Sequence, residues 1–137
     1  MSRFAKKPSL PENVIHERAD IELTIDDERL NEELMNQPLL YRKWSKLKSE
    51  VNRKAKIIKM KLDQVESQKY LTFAKDGGKV KELESKIDSD EEIIKLKTEL
   101  YEAEALAEEY DGIAKAFYMR HESIKELCAN ARKEIAD

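Results

Sequence analysis

Residues 89–135 read SDEEIIKLKTELYEAEALAEEYDGIAKAFYMRHESIKELCANARKEI, and their spacing decides the fold. One heptad register runs from end to end: Ile93, Leu100, Ala107, Ala114, His121, Cys128 and Ile135 at a, with Leu96, Ala103, Tyr110, Phe117, Ile124 and Ala131 at d. Leu106, Ile113 and Leu127 widen the stripe at g. Ser89 and Glu92 have the spacing of a capping box at its start. Six heptads make a helix of about 65–70 Å at the α-helical rise, interrupted only by Gly112 at a cost of about 1 kcal/mol against Ala. Small residues at a and d with apolar g positions favour broad, tight interfaces between helices. Ile93, Leu96, Leu100, Ala103, Ala107, Tyr110, Ala114, Phe117, Ile124 and Cys128 are therefore expected to join copies of the chain into a homo-oligomer.

Upstream, the decisive feature is charge. Nine basic residues (Arg42, Lys43, Lys46, Lys48, Arg53, Lys54, Lys56, Lys59 and Lys61) stand against Glu50 alone, a local charge of +8 within a chain of net charge −3. Leu40, Trp44, Leu47, Val51, Ala55, Ile58, Leu62 and Val65 recur at steps of three and four, which is one helix face. The predicted helix, with Pro38 in its first turn, thus has one apolar seam and a basic coat. Charge of this density is either solvated or matched by a polyanion, of which a nucleic-acid backbone is the commonest. Tyr41 and Trp44 add aromatic rings to the basic track, the combination that single-strand binders use. Trp44 lies in the seam, where core packing competes with stacking; Tyr41 lies off its centre. No recognition helix, zinc finger or basic zipper points to duplex readout.

The remaining segments are acidic. Residues 1–23, with Pro8 and Pro11 and no sustained apolar period, read as a mobile arm. Thr24 and Asp27 have capping-box spacing ahead of a short acidic helix, Asp26 to Asn36. From Glu12 to Glu33 the net charge is −7 and from Glu82 to Asp111 it is −9. Asp76-Gly77-Gly78 signals a turn. The 74–88 stretch reads as a loop, with a small hairpin of Tyr70–Phe73 against Lys79–Leu83 as the alternative.

Taken together, the chain reads as all-α: a basic helical region over 24–73, a loop over 74–88, and an oligomerisation helix over 89–137. With 137 residues and mean hydropathy of −0.76, its apolar residues suffice for stripes rather than a deep monomeric core. No apolar run approaches the ~20 residues of a membrane span, and the single Cys128 fits a reducing compartment. No Gly-rich phosphate loop or nucleophile constellation is present, so an enzyme is not expected and no cofactor is implied. His121 and Cys128, on one face, are a weak metal signal; a core histidine and a small buried thiol explain them better.

Two classes of function stay open on these residues: a single-stranded nucleic-acid binder, and a structural coiled-coil or adaptor protein whose basic helix docks an acidic partner. Contact with anionic lipid is a third possibility.

Leu40-Tyr41-Arg42-Lys43-Trp44 resembles the LYxKW segment of the UvsY-type recombination mediators of T-even-type phages, and Lys59-Met60-Lys61-Leu62-Asp63 is similar to their K-x-[KR]-L-D segment. The C-terminal helix aligns through Asp90, Ile93, Ile94, Lys95, Thr98, Leu100, Leu106, Gly112, Ala116, Arg120, Ile124, Lys125 and Arg132. The resemblance spans roughly residues 38 to 135; the stretch after the basic helix and the proline-bearing arm depart from it. It implies a non-enzymatic mediator in the cytoplasm of an infected bacterial host. Such a protein binds single-stranded DNA as a ring, helps displace single-strand-binding protein, and loads a RecA-like recombinase of the UvsX type. A ring of about six or seven copies, a heptamer by preference, multiplies weak contacts through effective concentration. By position, Lys59 and Lys61 become prime DNA contacts, with Arg42, Lys43, Tyr41 and Trp44 in the same region; Lys46, Arg53, Lys54 and Lys56 extend the track. Arg120 and Lys125 match basic positions whose role is either a contact or a salt bridge.

Overall fold

A computed structural model describes residues 12–136. Among them are four α-helices and no strand: α1 (Glu12–Leu23), α2 (Leu30–Lys75), α3 (Val80–Asp88) and α4 (Glu91–Ala136), with a 3-10 turn at Asp27–Arg29. The all-α expectation holds. The helices form two compact units: one takes the described residues through Arg42 and those from Lys115 on, the other takes Lys43–Ala114.

In the first unit, α1 replaces part of the expected arm, while residues 1–11 lie outside the described residues. Its apolar side is narrow. Ala19 is buried and Ile15 and Leu23 are half-buried, a stripe of three at steps of four that is too short to register as a period. Thr24 closes α1 instead of opening the next helix, its Oγ1 donating to the Asp20 carbonyl at 2.9 Å. Asp26 is the cap that follows, accepting from the Glu28 amide at 3.0 Å. The two helices expected over 26–36 and from Pro38 on are a single helix, α2, which runs through the proline. A proline inside a helix removes one hydrogen bond and costs about 3 kcal/mol. Tertiary contacts offset that loss beside it, since Gln37 is buried and donates to the Phe117 carbonyl of α4 at 2.6 Å.

In the second unit, α2 and α4 lie antiparallel. Trp44 meets Tyr110 with ring centroids 6.3 Å apart, and Leu62 packs on Ile93 and Leu96, flanked by Val65, Ile87 and Leu100. Burial, with the charges of Glu109 and Glu50, pushes the Tyr110 hydroxyl above its ordinary value. The 74–88 stretch is neither loop throughout nor hairpin: α2 continues to Lys75, a turn follows, and α3 begins at Val80. Gly77 at φ +83° supplies the left-handed turn residue. Leu83, buried, and Ile87 form a one-turn apolar pair that is too brief to read as a helix in the sequence.

Asp90 rather than Ser89 caps α4, its Oδ1 accepting from the amides of Glu92 (3.1 Å) and Ile93 (3.2 Å). Ser89 instead closes α3 by donating to the Ser85 carbonyl at 2.8 Å. The Asp90 carboxylate also receives Lys69 of α2 at 3.0 Å, and Lys69 reaches Glu92 at 3.3 Å.

Much of the heptad face packs within the chain. Ile93, Leu96, Ala107, Tyr110, Ala114, Phe117 and Ile124 are buried inside the chain itself, and Leu100, Ala103 and Cys128 are half-buried. α2 folds back within the same chain, and its own stripe covers the buried part of this face. Fully burying side chains such as Trp44, Phe117, Ile93 and Ile124 stabilises by about 1.5–3 kcal/mol each.

Two outcomes follow. A Cβ at Gly112 meets nothing within 4 Å, so Gly112→Ala is expected to raise stability by about 1 kcal/mol, read as a higher midpoint in urea. The hydrogen bond from Lys69, with the Ile93 and Glu92 amides, holds Asp90 below its ordinary 3.8. A carboxylate with a lowered folded value stabilises above its unfolded value, and that contribution disappears as pH falls through the folded one. Thermal melts of Lys69→Met should therefore lose less stability than the native chain between about pH 4 and pH 2.

Candidate nucleic-acid interface

Every basic residue of the Arg42–Lys61 block lies on α2. The apolar seam has turned inward, with Trp44, Ala55 and Leu62 buried, which leaves the basic coat outside. The two flanks of the coat are not equivalent. At 100° per residue, Lys48, Lys56 and Lys59 lie on one flank, Lys43, Lys54 and Lys61 on the other, and Lys46 and Arg53 face outward.

On the first flank α4 supplies acid. Lys48 pairs with Asp111 at 2.7 Å. Asn52, Ala55, Lys56 and Lys59 line a groove of about 430 Å³ whose opposite wall includes Glu104, Glu108 and Asp111. Lys59 also pairs with Asp63, one turn on, at 3.5 Å. A phosphate on this flank meets carboxylates as well as ammoniums. By contrast, Lys46, Arg53, Lys54 and Lys61 are exposed and make no ion pair among the described residues. Lys43 lies 5.4 Å from the centroid of the Trp44 ring.

Trp44 is 1% exposed, a core residue held by the seam it belongs to, which leaves Tyr41 as the stacking candidate of the two rings. Tyr41, in the first unit, remains exposed, as does Arg42 beside it. Two surface residues escape a reading based on charge and the apolar stripe. Ile57 and Met60 are 57% and 70% exposed on the outer side of α2, among the cations. Their signal is an off-stripe position: apolar residues at a helix phase where only polar ones are needed.

Arg120 belongs to another part of the chain and another role. It is buried in the first unit, its Nε donating to the Leu23 carbonyl at 3.1 Å and its Nη1 to Gln37 Oε1 at 2.7 Å. Nη2 reaches the Thr24 carbonyl at 3.3 Å and pairs with Glu33. Lys125 is exposed and lies 3.9 Å from Glu122 on its own helix. The His121 and Cys128 pair gathers no metal set among the described residues. No described helix is long and apolar enough to cross a membrane.

Beside the filled seam, Lys46, Arg53, Lys54 and Lys61 form an exposed cationic track. The family model described as "Recombination, repair and ssDNA binding protein UvsY" matches residues 18–134, and the chain belongs to that family. Crystal structures of the bacteriophage T4 recombination mediator protein UvsY share the fold. One, of lattice type IV, superposes with a TM-score of 0.79 at 19% identity, covering 91% of this chain and 99% of that one. Another, of lattice type I, gives 0.75 at 21% identity, over 88% and 98%. Comparison with curated protein sequences finds no match.

Breaking a buried ion pair by removing one partner costs about 3–5 kcal/mol. Arg120→Met is expected to lose stability on that scale in urea unfolding. Folded at low denaturant, it should retain the native salt slope for single-stranded DNA, since Arg120 is not on the exposed track.

Proposed function

We propose that the chain is a recombination mediator, without enzymatic activity, that binds single-stranded DNA through the exposed flank and outer face of α2 in the second unit. Lys46, Arg53, Lys54 and Lys61 meet the phosphates, and Ile57 and Met60 offer apolar contact to sugars and bases. The observation that carries this reading is the exposed, unopposed set of cations on a chain of the UvsY family. Lys43 and Lys59 contribute less, Lys59 because Asp63 and the Glu104–Glu108 wall stand beside it. One helix neutralising about three phosphates gives a salt slope near −2 for a single strand, which is weak binding. A ring of copies, the heptamer that the resemblance implies, raises it through effective concentration.

Self-association uses what α4 leaves open to solvent: Leu100, Ala103 and Cys128 of the heptad face, half-buried, with the exposed Ile94 and Tyr101. The oligomer then holds the strand by contacts that are individually weak. Single-strand-binding protein can be displaced, and a RecA-like recombinase of the UvsX type can load on the bases, in the cytoplasm of an infected bacterium.

Fluorescence anisotropy of a labelled single-stranded oligonucleotide at several salt concentrations tests the reading, with light scattering to fix mass. Lys54→Ala/Lys61→Ala should flatten the log–log salt slope by about 1.4 per protomer contact pair and weaken binding at unchanged mass. Lys48→Ala/Lys59→Ala should do so less. An intact oligomer that ignores DNA at low salt would overturn the proposal in favour of an adaptor with an acidic protein partner.

A further inference from the structure

Tyr41 has a companion that its position in sequence does not announce. In the first unit, Tyr118 of α4 lies across from it, the ring centroids 6.2 Å apart and tilted by 56°. Tyr41 is 40% exposed and Tyr118 61%. The rings open onto a notch of about 190 Å³, completed by Gln37, Pro38 and His121. Gln37 is already engaged by the Phe117 carbonyl and Arg120, and no described buried side-chain polar atom lacks a partner. No buried polar group there asks for a further hydrogen bond, and three of the five lining residues carry aromatic rings. Arg42, next to Tyr41, is exposed and makes no ion pair among the described residues.

A flat, apolar-faced ligand tethered to an anion suits this combination. We propose that Tyr41, Tyr118 and His121 form a nucleobase-stacking notch that seats one base of bound single-stranded DNA, with Arg42 on the adjoining phosphate. The proposal rests on the reading that the chain binds single-stranded DNA, and adds to it a base contact separate from the cations of the second unit. Every base has a π-face, so the notch accepts any sequence. His121 can donate or accept at a base edge. Tyr118 rather than Tyr41 is the diagnostic residue, because it stands outside the basic block and a purely electrostatic model gives it no role.

The test compares oligothymidylate with an abasic phosphodiester oligomer of the same length, using the full chain at fixed salt. A stacked base is worth about 1–3 kcal/mol, so the native chain should prefer the base-bearing oligomer by about fivefold or more. Tyr118→Ala should lose most of that preference while keeping its affinity for the abasic oligomer, its salt slope and its mass. Tyr118→Trp, which keeps a stacking surface and adds a fluorophore, should retain the preference, and its added emission should be quenched by oligothymidylate and not by the abasic oligomer. An unchanged preference in Tyr118→Ala, or unquenched Tyr118→Trp emission, would overturn the notch and leave DNA binding by α2 standing. A fall in oligomer mass with Tyr118→Ala would overturn it too, assigning the rings to contact between copies. If the native chain binds neither oligomer, both readings fail together.

Discussion

The guanidinium of Arg120 is the constraint from which the first unit is built. It is nearly inaccessible to water, and removing a cation from water costs several kcal/mol unless its donors are satisfied. Here they are satisfied by two separate segments: the carbonyls of Leu23 and Thr24 at the end of α1, and the first turns of α2, which supply Glu33 and, one turn later, Gln37. Gln37 in turn ties back to the Phe117 carbonyl of Arg120's own helix. Burying that charge ties the end of α1 and the start of α2 to α4. The same contacts let α2 continue through Pro38, where the backbone alone favours a break.

The second unit is organised by a division of charge. Acids on α4 stand along one flank of a cationic helix, pairing with Lys48, while Lys46, Arg53, Lys54 and Lys61 are exposed. Self-repulsion among cations weakens a helix in isolation; here packing of the Trp44–Leu62 seam on α4 and the pairing of Lys48 stabilise it. Packing takes up one side of α2 and leaves Lys46, Arg53, Lys54 and Lys61 exposed on the rest.

Much of this was legible in the sequence because it is written in local periodicity. The heptads of residues 93–135 required a long helix, and α4 runs from Glu91 to Ala136. The three-and-four spacing from Leu40 to Val65 identified the buried face of α2, Trp44 included. Asp76-Gly77-Gly78 marked the turn, and Gly77 adopts the left-handed backbone there. Short elements were illegible: α1 and α3 bury too few residues, Ala19 and Leu83 chief among them, to rise above a background of charge. Caps were displaced by one or two residues, since Thr24 and Ser89 can donate backward to the preceding turn as readily as they accept from the next.

The sequence by itself determined the helical class, the two long amphipathic stripes and the cationic block, because each depends only on the order of side chains along a regular backbone. Tertiary structure alone decided what those stripes meet. The stripe of α2 and much of the heptad face meet each other within the chain, since the connection through α3 turns α4 back along α2. It also decided which lysines meet acids, because Asp111, paired with Lys48, and the Glu104–Glu108 wall beside Lys59 are far off in sequence and only ångströms away in space. And it set Tyr118 beside Tyr41, a pairing that no periodicity along either helix could announce.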